Sequence, residues 1–530
     1  MPYYVAHAGT EIQKVTMAGE VSTLILPAGV TVSATKAARV AVLANSIVAV
    51  YAPTLNLRIN STTLAVTPMS IPGPITVPTV AAGSSGVLTG VYLYKVTFAQ
   101  VDTGVLVSES PLSSATAPVT LAAQRGSLSA IPVSTASGVT SRRLYRTTAG
   151  GSTYFFLATI ADNTTTTYTD NTADAGLDIT AVTTDLGNPA GTTTSDYLTE
   201  IVAWKDRLWA VGSPDLDLVY YSGINRFFAW SAANYFPINP KGQGTSGVTA
   251  FLPRRDELGV AKRRGLWKIV GSSADSYAAI QVINGVGVFA PKSVVVIRDV
   301  AYFLAEEGVY AWGADGLRLL NSARVNAWFT TDTYFNRSLL PSAFAVWNQR
   351  DDCYELYLAD TASGVIDRWI SYDLQRDLWL GPHKTDAFTP SSSQNLEDIY
   401  GITMQVRAGT DGILYRCCDM EYLDGATAID FSVTTAPLSG GVPQTEKYYG
   451  ELTVLTQPQA AGTLTVTPYV GGLTATAQAS ISHDLTLDRQ KHRRLGQGRH
   501  AWLTLRQNGA SQGCEVQGFE IVPVSIVGTR

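Results

Sequence analysis

The stretch SVVVIRDVAYFLAEEGVYAWGADGLRLL, residues Ser293–Leu320, decides how the rest of the chain is interpreted. It contains three short apolar runs, Val294–Ile297, Ala301–Leu304 and Val309–Trp312, followed by a weaker run, Leu317–Leu320. Short breaks rich in Asp, Glu and Gly separate the runs, which is typical of an antiparallel meander. A meander of this size corresponds to one blade of a β-propeller, and it needs neighbouring blades because one sheet cannot bury both of its faces.

The composition favours an all-β protein of several domains. The chain has 530 residues, more than one ordinary core accommodates. Charged residues make up 15% and hydrophobic ones 45%, with 46 Gly and 24 Pro, as expected for many strands and turns. No long amphipathic helical pattern occurs. The formal net charge of −5 argues against a DNA-coating protein, which would need a basic face, but excludes neither nucleic acid nor carbohydrate as a partner.

The alternation of apolar runs and charged turns returns at intervals of about 45 to 55 residues, the period expected of propeller blades. An N-terminal segment beginning with Arg39–Tyr51 is a further candidate, which makes about six blades in all. We expect Trp209, Trp267, Trp312 and Trp379 on comparable strands. The remaining blade candidates are Tyr197–Tyr221, Gly247–Gly271, Phe344–Leu380 and Ile399–Tyr422.

Residues 71–194 differ from the blade pattern. IPGPITVPTVAAGSSG at the start and residues 191–195 at the end are rich in Gly, Pro, Ser or Thr and predict linkers. Strand patterns lie between them at roughly ten-residue or longer spacing, which indicates a small β-sandwich inserted into the surrounding domain. These patterns are at residues 90–99, 119–123, 141–147, 154–160 and 163–171.

The predicted fold is therefore all-β, with a divergent β-propeller, an inserted fibronectin- or immunoglobulin-like β-sandwich and a C-terminal β-sandwich. Residues 1–70 complete the propeller, and residues 71–194 form the insert. Residues 195–435 form the other blades, and residues 436–530 form the C-terminal sandwich.

Motifs for nucleotides, metals and nucleophilic catalysis are weak or missing. The segment Gly242–Gly247 matches G-x-G-x-x-G, but it precedes a strand rather than a helix and is interpreted as a turn. The histidines share no ligand spacing, so we expect no metal site. We expect no cofactor, no catalytic residue and no enzymatic activity. The histidines are His7, His383, His483, His492 and His500.

Two carboxylate pairs, Glu306-Glu307 and Asp351-Asp352, fall at expected hairpin tips. Solvated turns are the commoner explanation of such pairs. A glycosidase remains an alternative, because two carboxylates that converge across a sugar are not recognisable from sequence.

Basic residues cluster twice, and each cluster is a candidate contact with a partner or with the contents of a channel. The first cluster flanks an expected hairpin beside Asp256 and Glu257, where an exposed, acid-neutralised turn is the simpler explanation. The second lies in the most basic run of the chain and is a candidate subunit contact. The candidate contact residues are Arg254, Arg255, Lys262, Arg263, Arg264, Lys491, Arg493 and Arg494.

The N-terminal residues MPYYVAHAGTEIQ lack the basic and apolar regions of a signal peptide. The cysteines Cys353, Cys417, Cys418 and Cys514 have no regular spacing and predict no disulfide framework. We therefore expect a chain that is made and folded in a cytoplasm.

Five segments together resemble the tail nozzle, or tail tubular B-like, proteins of short-tailed bacteriophages. The resemblance covers most of the chain, but no single segment is a sharp signature. The segments are ARVAVLANSIVAVYAPTLNLRIN, SRRLYRTTAGGSTYFFLATI with the nearby TYTDN, EIVAWKDRLWAVGSPDLDLVYYSG, RDVAYFLAEEGVYAWGADGLRLL and CEVQGFEIVPV.

The resemblance implies a structural virion protein that is assembled in the host cytoplasm. Such proteins form a homohexamer beneath the tail adaptor, line the distal DNA-exit channel and offer a docking surface to tail fibres or spikes. Genomic DNA would pass without specific binding, and no stable membrane insertion is expected. No pore-lining residue is transferred, because the blades are too divergent to align.

A receptor- or carbohydrate-binding propeller of a phage tail, lectin-like or a glycosidase, is the alternative. A lectin-like propeller would repeat exposed aromatic residues at equivalent blade positions, and the sequence does not show them.

Overall fold

The computed structural model is almost entirely β, and it describes the greater part of the chain. The described residues form two compact units, Met1–Pro382 with Ser392–Thr403, and His383–Ser391 with Met404–Arg530. Helical segments among them are short: the α-helix Asn326–Thr330 and the 3-10 turns Asp174–Gly176, Pro291–Ser293 and Arg337–Ser342. The described residues are 3–16, 19–35, 37–51, 55–102, 104–178, 198–212, 215–231, 233–238, 247–320, 325–385, 388–397, 403–417, 423–424, 427–440, 443–473, 475–509 and 514–525.

Five four-stranded antiparallel sheets follow one another along the first unit, and we number them blades 1 to 5. In each blade the strands are hydrogen-bonded in chain order. Blade 1 consists of Arg39–Leu43, Ser46–Tyr51, Leu55–Asn60 and Val66–Pro68. Blade 2 consists of Leu198–Trp204, Arg207–Gly212, Leu218–Tyr221 and Tyr235–Pro237. Blade 3 consists of Ala250–Pro253, Glu257–Lys262, Gly265–Val270 and Ala278–Asn284. Blade 4 consists of Val295–Ile297, Val300–Leu304, Val309–Gly313 and Gly316–Leu319. Blade 5 consists of Phe344–Asn348, Cys353–Leu358, Arg368–Asp373 and Leu378–Lys384.

Consecutive blades pack face to face. The first strand of each blade lies against the first strand of the next. Large apolar side chains fill the space between the sheets, and full burial of one such side chain contributes about 1.5–3 kcal/mol. This radial order of meander sheets is that of a β-propeller, which confirms the predicted fold class. Residues of successive blades that share one buried cluster include Leu43 and Leu208, Trp209 and Val260, Leu252 and Phe303, and Val309 and Leu356.

The four tryptophans do not occupy comparable strands. Trp267 and Trp312 lie on third strands, but Trp209 is on a second strand and Trp379 on a fourth. The prediction of equivalence was wrong, because a large aromatic side chain from any strand can fill the gap between two sheets.

A three-stranded sheet of Tyr3–Ala8, Glu11–Thr16 and Val21–Thr23 precedes blade 1. Its Ile12 shares a buried cluster with Tyr51 and Leu57 of that blade.

The last predicted blade, 399–422, differs from the others. Its described residues form Thr403–Gly409 and Leu414–Cys417, which join Pro390–Glu397 in a three-stranded sheet. Residues from Met404 onward belong to the second unit. The boundary between the two units therefore lies earlier in the chain than the predicted boundary at residue 435. Residues 399–402 and 418–422 lie outside the described part of the chain.

The insert is a sandwich of two antiparallel sheets around a core that includes Leu88, Tyr94, Leu121 and Leu144. One sheet contains, in order, Val105–Glu109, Tyr94–Asp102, Ser141–Thr147 and Tyr154–Ile160. The other contains Tyr168–Asp170, Val119–Ser129 and Thr79–Tyr92.

Two details of the predicted insert were wrong. The predicted linker 71–86 includes the start of the strand Thr79–Tyr92, and the predicted strand 90–99 is divided at Leu93 between the two sheets. Small residues permit this strand, since a Cβ at Gly86 would lie 2.5 Å from the side-chain oxygen of Asn171. Residues 191–195 lie outside the described part.

The second unit contains the predicted C-terminal sandwich, with a core that includes Tyr449, Leu452, Val466 and Leu503. One sheet contains, in order, Phe431–Thr434, His500–Gln507, Thr463–Gly471 and Ile481–Asp484. The other contains Arg489–Gly498, Lys447–Thr456 and Val516–Ser525. A two-residue pair, Leu423–Asp424 with Thr427–Ala428, precedes them. Among the described residues, no helix has the length and apolarity to cross a bilayer.

Candidate functional site

Arg254, the first predicted basic residue, is buried at the turn between the first two strands of blade 3, with 6% of its side chain exposed. Its Nε donates to the carbonyl oxygen of Asp299 at 2.9 Å, and its guanidinium pairs with Glu257. The guanidinium also lies 4.8 Å from the ring centre of Trp312. Arg254 therefore joins blade 3 to blade 4.

Lys262 is fully buried at the end of the second strand of blade 3. Its Nζ lies 2.8 Å from a carboxylate oxygen of Asp217 and donates to the carbonyl oxygen of Ile238 at 2.9 Å. The ammonium also lies 5.3 Å from the ring centre of Trp267. Lys262 and Arg254 are thus buried and bind groups of neighbouring blades. This corrects their interpretation as partner or channel contacts.

Arg255 is exposed at the same turn as Arg254. Its backbone N–H donates to the Asp299 carboxylate at 2.6 Å. Within the described part of the chain its guanidinium has no ion-pair partner, so Arg255 remains a candidate contact.

Arg263 and Arg264 lie at the turn between the second and third strands of blade 3, and both are exposed. Their Nε atoms donate to the two carboxylate oxygens of Glu306, at 2.5 Å and 2.8 Å. Glu306 belongs to the equivalent turn of blade 4. The two arginines therefore share one carboxylate rather than forming an unpaired basic patch.

The second predicted cluster lies on a strand, Arg489–Gly498 of the C-terminal sandwich. Lys491 is exposed and pairs with Glu451 of the neighbouring strand at 2.8 Å. The backbone of Arg493 is opposite Glu451. The side chains of Arg493 and Arg494 lie outside the described part of the structure.

Contacts between hairpin tips connect blades 2 to 5, and we call them the tip contacts. Lys205 of blade 2 donates to the carbonyl oxygens of Asp256 and Gly271 in blade 3, at 3.3 Å and 2.6 Å. Arg254 makes the contact from blade 3 to blade 4. Arg298 of blade 4 pairs with Asp352 of blade 5 at 2.9 Å. Each basic side chain reaches the next blade in the chain.

A repeated dipeptide in the sequence marks the turns at which the tip contacts occur. A basic residue followed by Asp occupies the turn between the first and second strands in blades 2 to 5. The basic member of this dipeptide makes the tip contact in blades 2 and 4, whereas in blade 3 the preceding residue, Arg254, makes it. In blade 4, Arg298 and Asp299 both have positive φ angles, 49° and 67°, a conformation that costs energy in residues other than glycine. The ionic contact to the next blade explains why a charged pair replaces Asn-Gly there. The four dipeptides are Lys205-Asp206, Arg255-Asp256, Arg298-Asp299 and Arg350-Asp351.

A second missed cluster joins residues from three parts of the propeller. Arg39 of blade 1 pairs with Glu200 of blade 2 at 2.9 Å, and Lys292 precedes blade 4. Burial raises the pKa of Glu200 to about 7, although the charges of Arg39 and Lys292 act in the opposite direction. Arg39 and Glu200 lie on the first strands of blades 1 and 2, which pack together, and Lys292 is near enough for its charge to act on Glu200. Nothing in the sequence links positions so far apart.

The predicted carboxylate pairs also serve contacts between blades. Glu306 accepts hydrogen bonds from the two arginines of blade 3. Asp352 accepts a hydrogen bond from the Arg298 guanidinium of blade 4. Asp351 accepts a hydrogen bond from Asn348 at 2.9 Å. The interpretation of both pairs as simply solvated turns was therefore incomplete, because one member of each pair binds an arginine of the preceding blade.

Other candidate motifs receive no support as sites. Residues 239–246, which contain most of the G-x-G-x-x-G match, lie outside the described part. Among the described residues, no three His, Cys, Asp or Glu side chains are grouped closely enough to bind a metal. The structure brings His483 and His492 together, with ring centres 5.8 Å apart.

Comparisons with known proteins do not assign the chain to a family. No protein-family model and no curated protein matches it. Solved structures that resemble it include the computationally designed Ika8 protein, with 10% identity, a TM-score of 0.33 and coverage of 78% of this chain and 94% of that one. The N-terminal domain of Nup159 shares 7% identity, with a TM-score of 0.33 and coverage of 78% and 85%. BamB from Moraxella catarrhalis shares 10% identity, with a TM-score of 0.30 and coverage of 78% and 92%. Likeness at these levels carries no argument about function.

Proposed function

We propose that the chain is a structural virion protein of the tail-nozzle type found in short-tailed bacteriophages. In this proposal six copies form a ring that surrounds the distal DNA-exit channel, beneath the tail adaptor. The ring also gives tail fibres or spikes a docking surface. The observation that carries the proposal is the set of tip contacts.

The tip contacts favour a rigid wall over a catalyst. They tie the hairpin tips of blades 2 to 5 together through Lys205, Arg254 and Arg298. Sheets that are joined both by buried apolar cores and by hydrogen bonds from charged side chains resist relative movement. A channel through which DNA leaves under force needs such a wall, whereas an enzyme needs charged groups that are free to act on a substrate.

The placement of basic residues also supports passage of DNA without specific binding. Arg254 and Lys262 are buried. Arg263 and Arg264 are neutralised in part by Glu306. With 38 Lys and Arg against 43 Asp and Glu, a formal net charge of −5, the chain as a whole has no excess of cations to retain the DNA backbone.

Exposed apolar side chains on the second unit are consistent with contacts between subunits. Phe431 and Val433 are each 43% exposed on Phe431–Thr434, the edge strand of the C-terminal sandwich, and Ile429 just before it is 45% exposed. Alternate residues of a strand share one face, so these side chains form an apolar row. Contiguous exposed apolar surface is a common feature of protein interaction sites.

The test is the oligomeric state of the whole chain, measured by mass photometry and negative-stain microscopy at micromolar concentration, alone and with other tail proteins. We expect a six-fold ring with a central hole. A chain that stays monomeric under all these conditions contradicts the nozzle proposal.

The glycosidase alternative has its own test. Turnover of polysaccharides should be absent, because the tip carboxylates Glu306 and Asp352 bind arginines. Hydrolysis that one carboxylate substitution abolishes would overturn the assignment as a non-enzyme.

A further inference from the structure

A cleft of about 200 Å³ opens between blade 3 and the segment that leads into blade 5. Its lining includes the turn of blade 3, the turn of blade 4 and the 3-10 turn Arg337–Ser342. The lining residues are Arg263, Arg264, Phe289, Glu306, Arg337 and Leu340.

Glu306 occupies one side of the cleft as an internal anion. Arg263 Nε donates to one carboxylate oxygen at 2.5 Å, and Arg264 approaches the other with both Nε and Nη2 at 2.8 Å. Burial opposes the ionisation of Glu306, but the hydrogen bonds from Arg264 and Arg263 outweigh it, so the pKa lies below its ordinary value. The carboxylate is therefore ionised at neutral pH, and the two arginines are oriented for an oxyanion.

Arg337 supplies a further cation to the lining of the cleft. Its backbone N–H donates to Asp332 at 3.1 Å, but within the described residues its guanidinium has no carboxylate partner. The lining thus contains three guanidinium groups and one carboxylate, an excess of two positive charges. This excess is concentrated in one concave site of a chain that is acidic as a whole.

The rest of the lining is apolar, and one of its two residues contacts a cation. The guanidinium of Arg263 lies 4.7 Å from the ring centre of Phe289, and Leu340 is buried at the base of the 3-10 turn. The guanidinium group matches the planar, bidentate geometry of phosphate and carboxylate recognition, as the contacts of Arg263 and Arg264 with Glu306 illustrate.

We propose that this cleft binds a phosphate-type oxyanion, either as the free ion or as a monoester on a small organic group. The dianion balances the two excess charges, with Arg337 as its principal ligand and the free guanidinium edges of Arg263 and Arg264 as the others. The proposal is independent of the proposed function, since it assumes neither a ring nor a channel.

Glu306 competes with the bound anion for the same two arginines. Removing its charge while keeping its shape, as in Glu306→Gln, leaves three cations without an internal counter-ion. This substitution should strengthen phosphate binding, whereas the loss of Arg337 should weaken it. Effects of opposite sign on one ligand are not expected from general damage to the fold.

The experiment is isothermal titration calorimetry of the whole chain with inorganic phosphate and with methyl phosphate, at constant ionic strength and pH 7.5. We expect saturable binding of both by the unmodified chain. Arg337→Ala should weaken binding by about tenfold or more, and Glu306→Gln should strengthen it by a similar factor. Arg255→Ala is the matched control, because Arg255 is also exposed and unpaired in the described chain but lies at a different turn, and it should leave the affinity unchanged.

Titrations with glucose and with sulfate define the ligand chemistry. Glucose should give no heat of binding, and sulfate should compete with phosphate. The proposal is overturned if phosphate does not bind, if glucose binds equally well, or if Arg337→Ala changes the affinity no more than Arg255→Ala does. Unaltered thermal unfolding of the Arg337→Ala variant confirms that its fold is retained.

Discussion

In the blades, charged side chains connect one sheet to the next, whereas the C-terminal sandwich places two uncharged histidines between its sheets. Lys205, Arg254 and Arg298 each bond to the following blade, and Lys262 is buried against Asp217. These groups contribute to stability only while they are ionised and paired.

His483 and His492 belong to different sheets of the C-terminal sandwich, and their rings meet edge to face. His483 Nε2 is 3.0 Å from the Thr456 hydroxyl, but His483 Nδ1 and His492 Nε2 have no hydrogen-bond partner in the described chain. Burial lowers the pKa of both rings, and the neighbouring His492 lowers that of His483 further, against a smaller opposite effect of Asp484. The stability of the C-terminal sandwich therefore depends on these two histidines being uncharged.

The comparison shows that one chain can stabilise two β regions by opposite means. Removing a paired cation such as Lys262 should destabilise the blades, but burial disfavours the charge of Glu200, so the blades should also lose stability when that carboxyl ionises as the pH rises. In the C-terminal sandwich, protonation of the histidines as the pH falls should be destabilising.

Lys262→Ala should have the largest effect on the blades. It leaves Asp217 without its buried partner, and removing one member of a buried ion pair costs about 3–5 kcal/mol in free energy of unfolding. Urea unfolding followed by tryptophan fluorescence measures the loss. The control combines Lys262→Met with Asp217→Leu, which removes both charges and should restore most of the stability. A loss below about 1 kcal/mol for Lys262→Ala would mean that the pair is not needed.

Arg254→Ala should have the next largest effect, since it removes the side-chain contacts of Arg254 with Asp299 and Trp312 of blade 4. Hydrogen bonds to charged groups contribute about 1.5–3 kcal/mol, and the side chain is buried. Arg298→Ala is the matched comparison, because Arg298 makes the equivalent contact with a 65% exposed side chain. Arg298→Ala should lower the free energy of unfolding by at most about 1 kcal/mol. Equal losses in urea unfolding would show that burial does not set the strength of the tip contacts.

Glu200→Gln should change the pH dependence of the blades. The carboxyl of the unfolded chain has its ordinary pKa of 4.5, whereas that of the folded chain has a pKa of about 7. The stability contributed by this difference is present below pH 4.5 and is lost as the pH rises towards 7. The variant should lack this loss when the unfolding midpoint is measured at intervals between pH 4.5 and 7.5. An unchanged slope would place the carboxyl in solvent.

His492→Leu should change the pH dependence of the C-terminal sandwich in the opposite sense. Both histidines have folded-state pKa values below the ordinary 6.5. Their contribution is therefore present above pH 6.5 and is lost as the pH falls through the folded-state values. The variant should retain more of its stability at pH 5 than the unmodified chain does, relative to pH 7.5. His7→Gln, a substitution in the N-terminal sheet, serves as the control and should not alter this dependence.

Local strand patterns were predictable from the sequence. The strands Ser141–Thr147 and Tyr154–Ile160 match their predicted bounds, and those of blade 4 do so within one residue. Alternating apolar residues bounded by Asp and Gly turns fix such strands locally. The strand Thr79–Tyr92 was missed because its small residues carry no alternation and are held by close approach to the neighbouring strand.

The roles of the basic residues were not predictable in the same way. Lys262 and Arg264 look alike in the sequence, yet the first is buried against Asp217 and the second is exposed beside Glu306. Their partners lie in neighbouring blades, so only the packing of the sheets decides the outcome. Arg337 likewise joins the cleft from a separate segment, although the repeated basic-Asp dipeptides at the tips were visible.

Differential scanning calorimetry of the unmodified chain between pH 5 and pH 7.5 tests the contrast between the two regions most directly. The Lys262→Ala and His492→Leu variants identify which transition belongs to the blades and which to the C-terminal sandwich. We expect the blade transition to move to lower temperature as the pH rises, and the C-terminal transition to move to higher temperature. Two transitions that shift in the same direction would contradict the account.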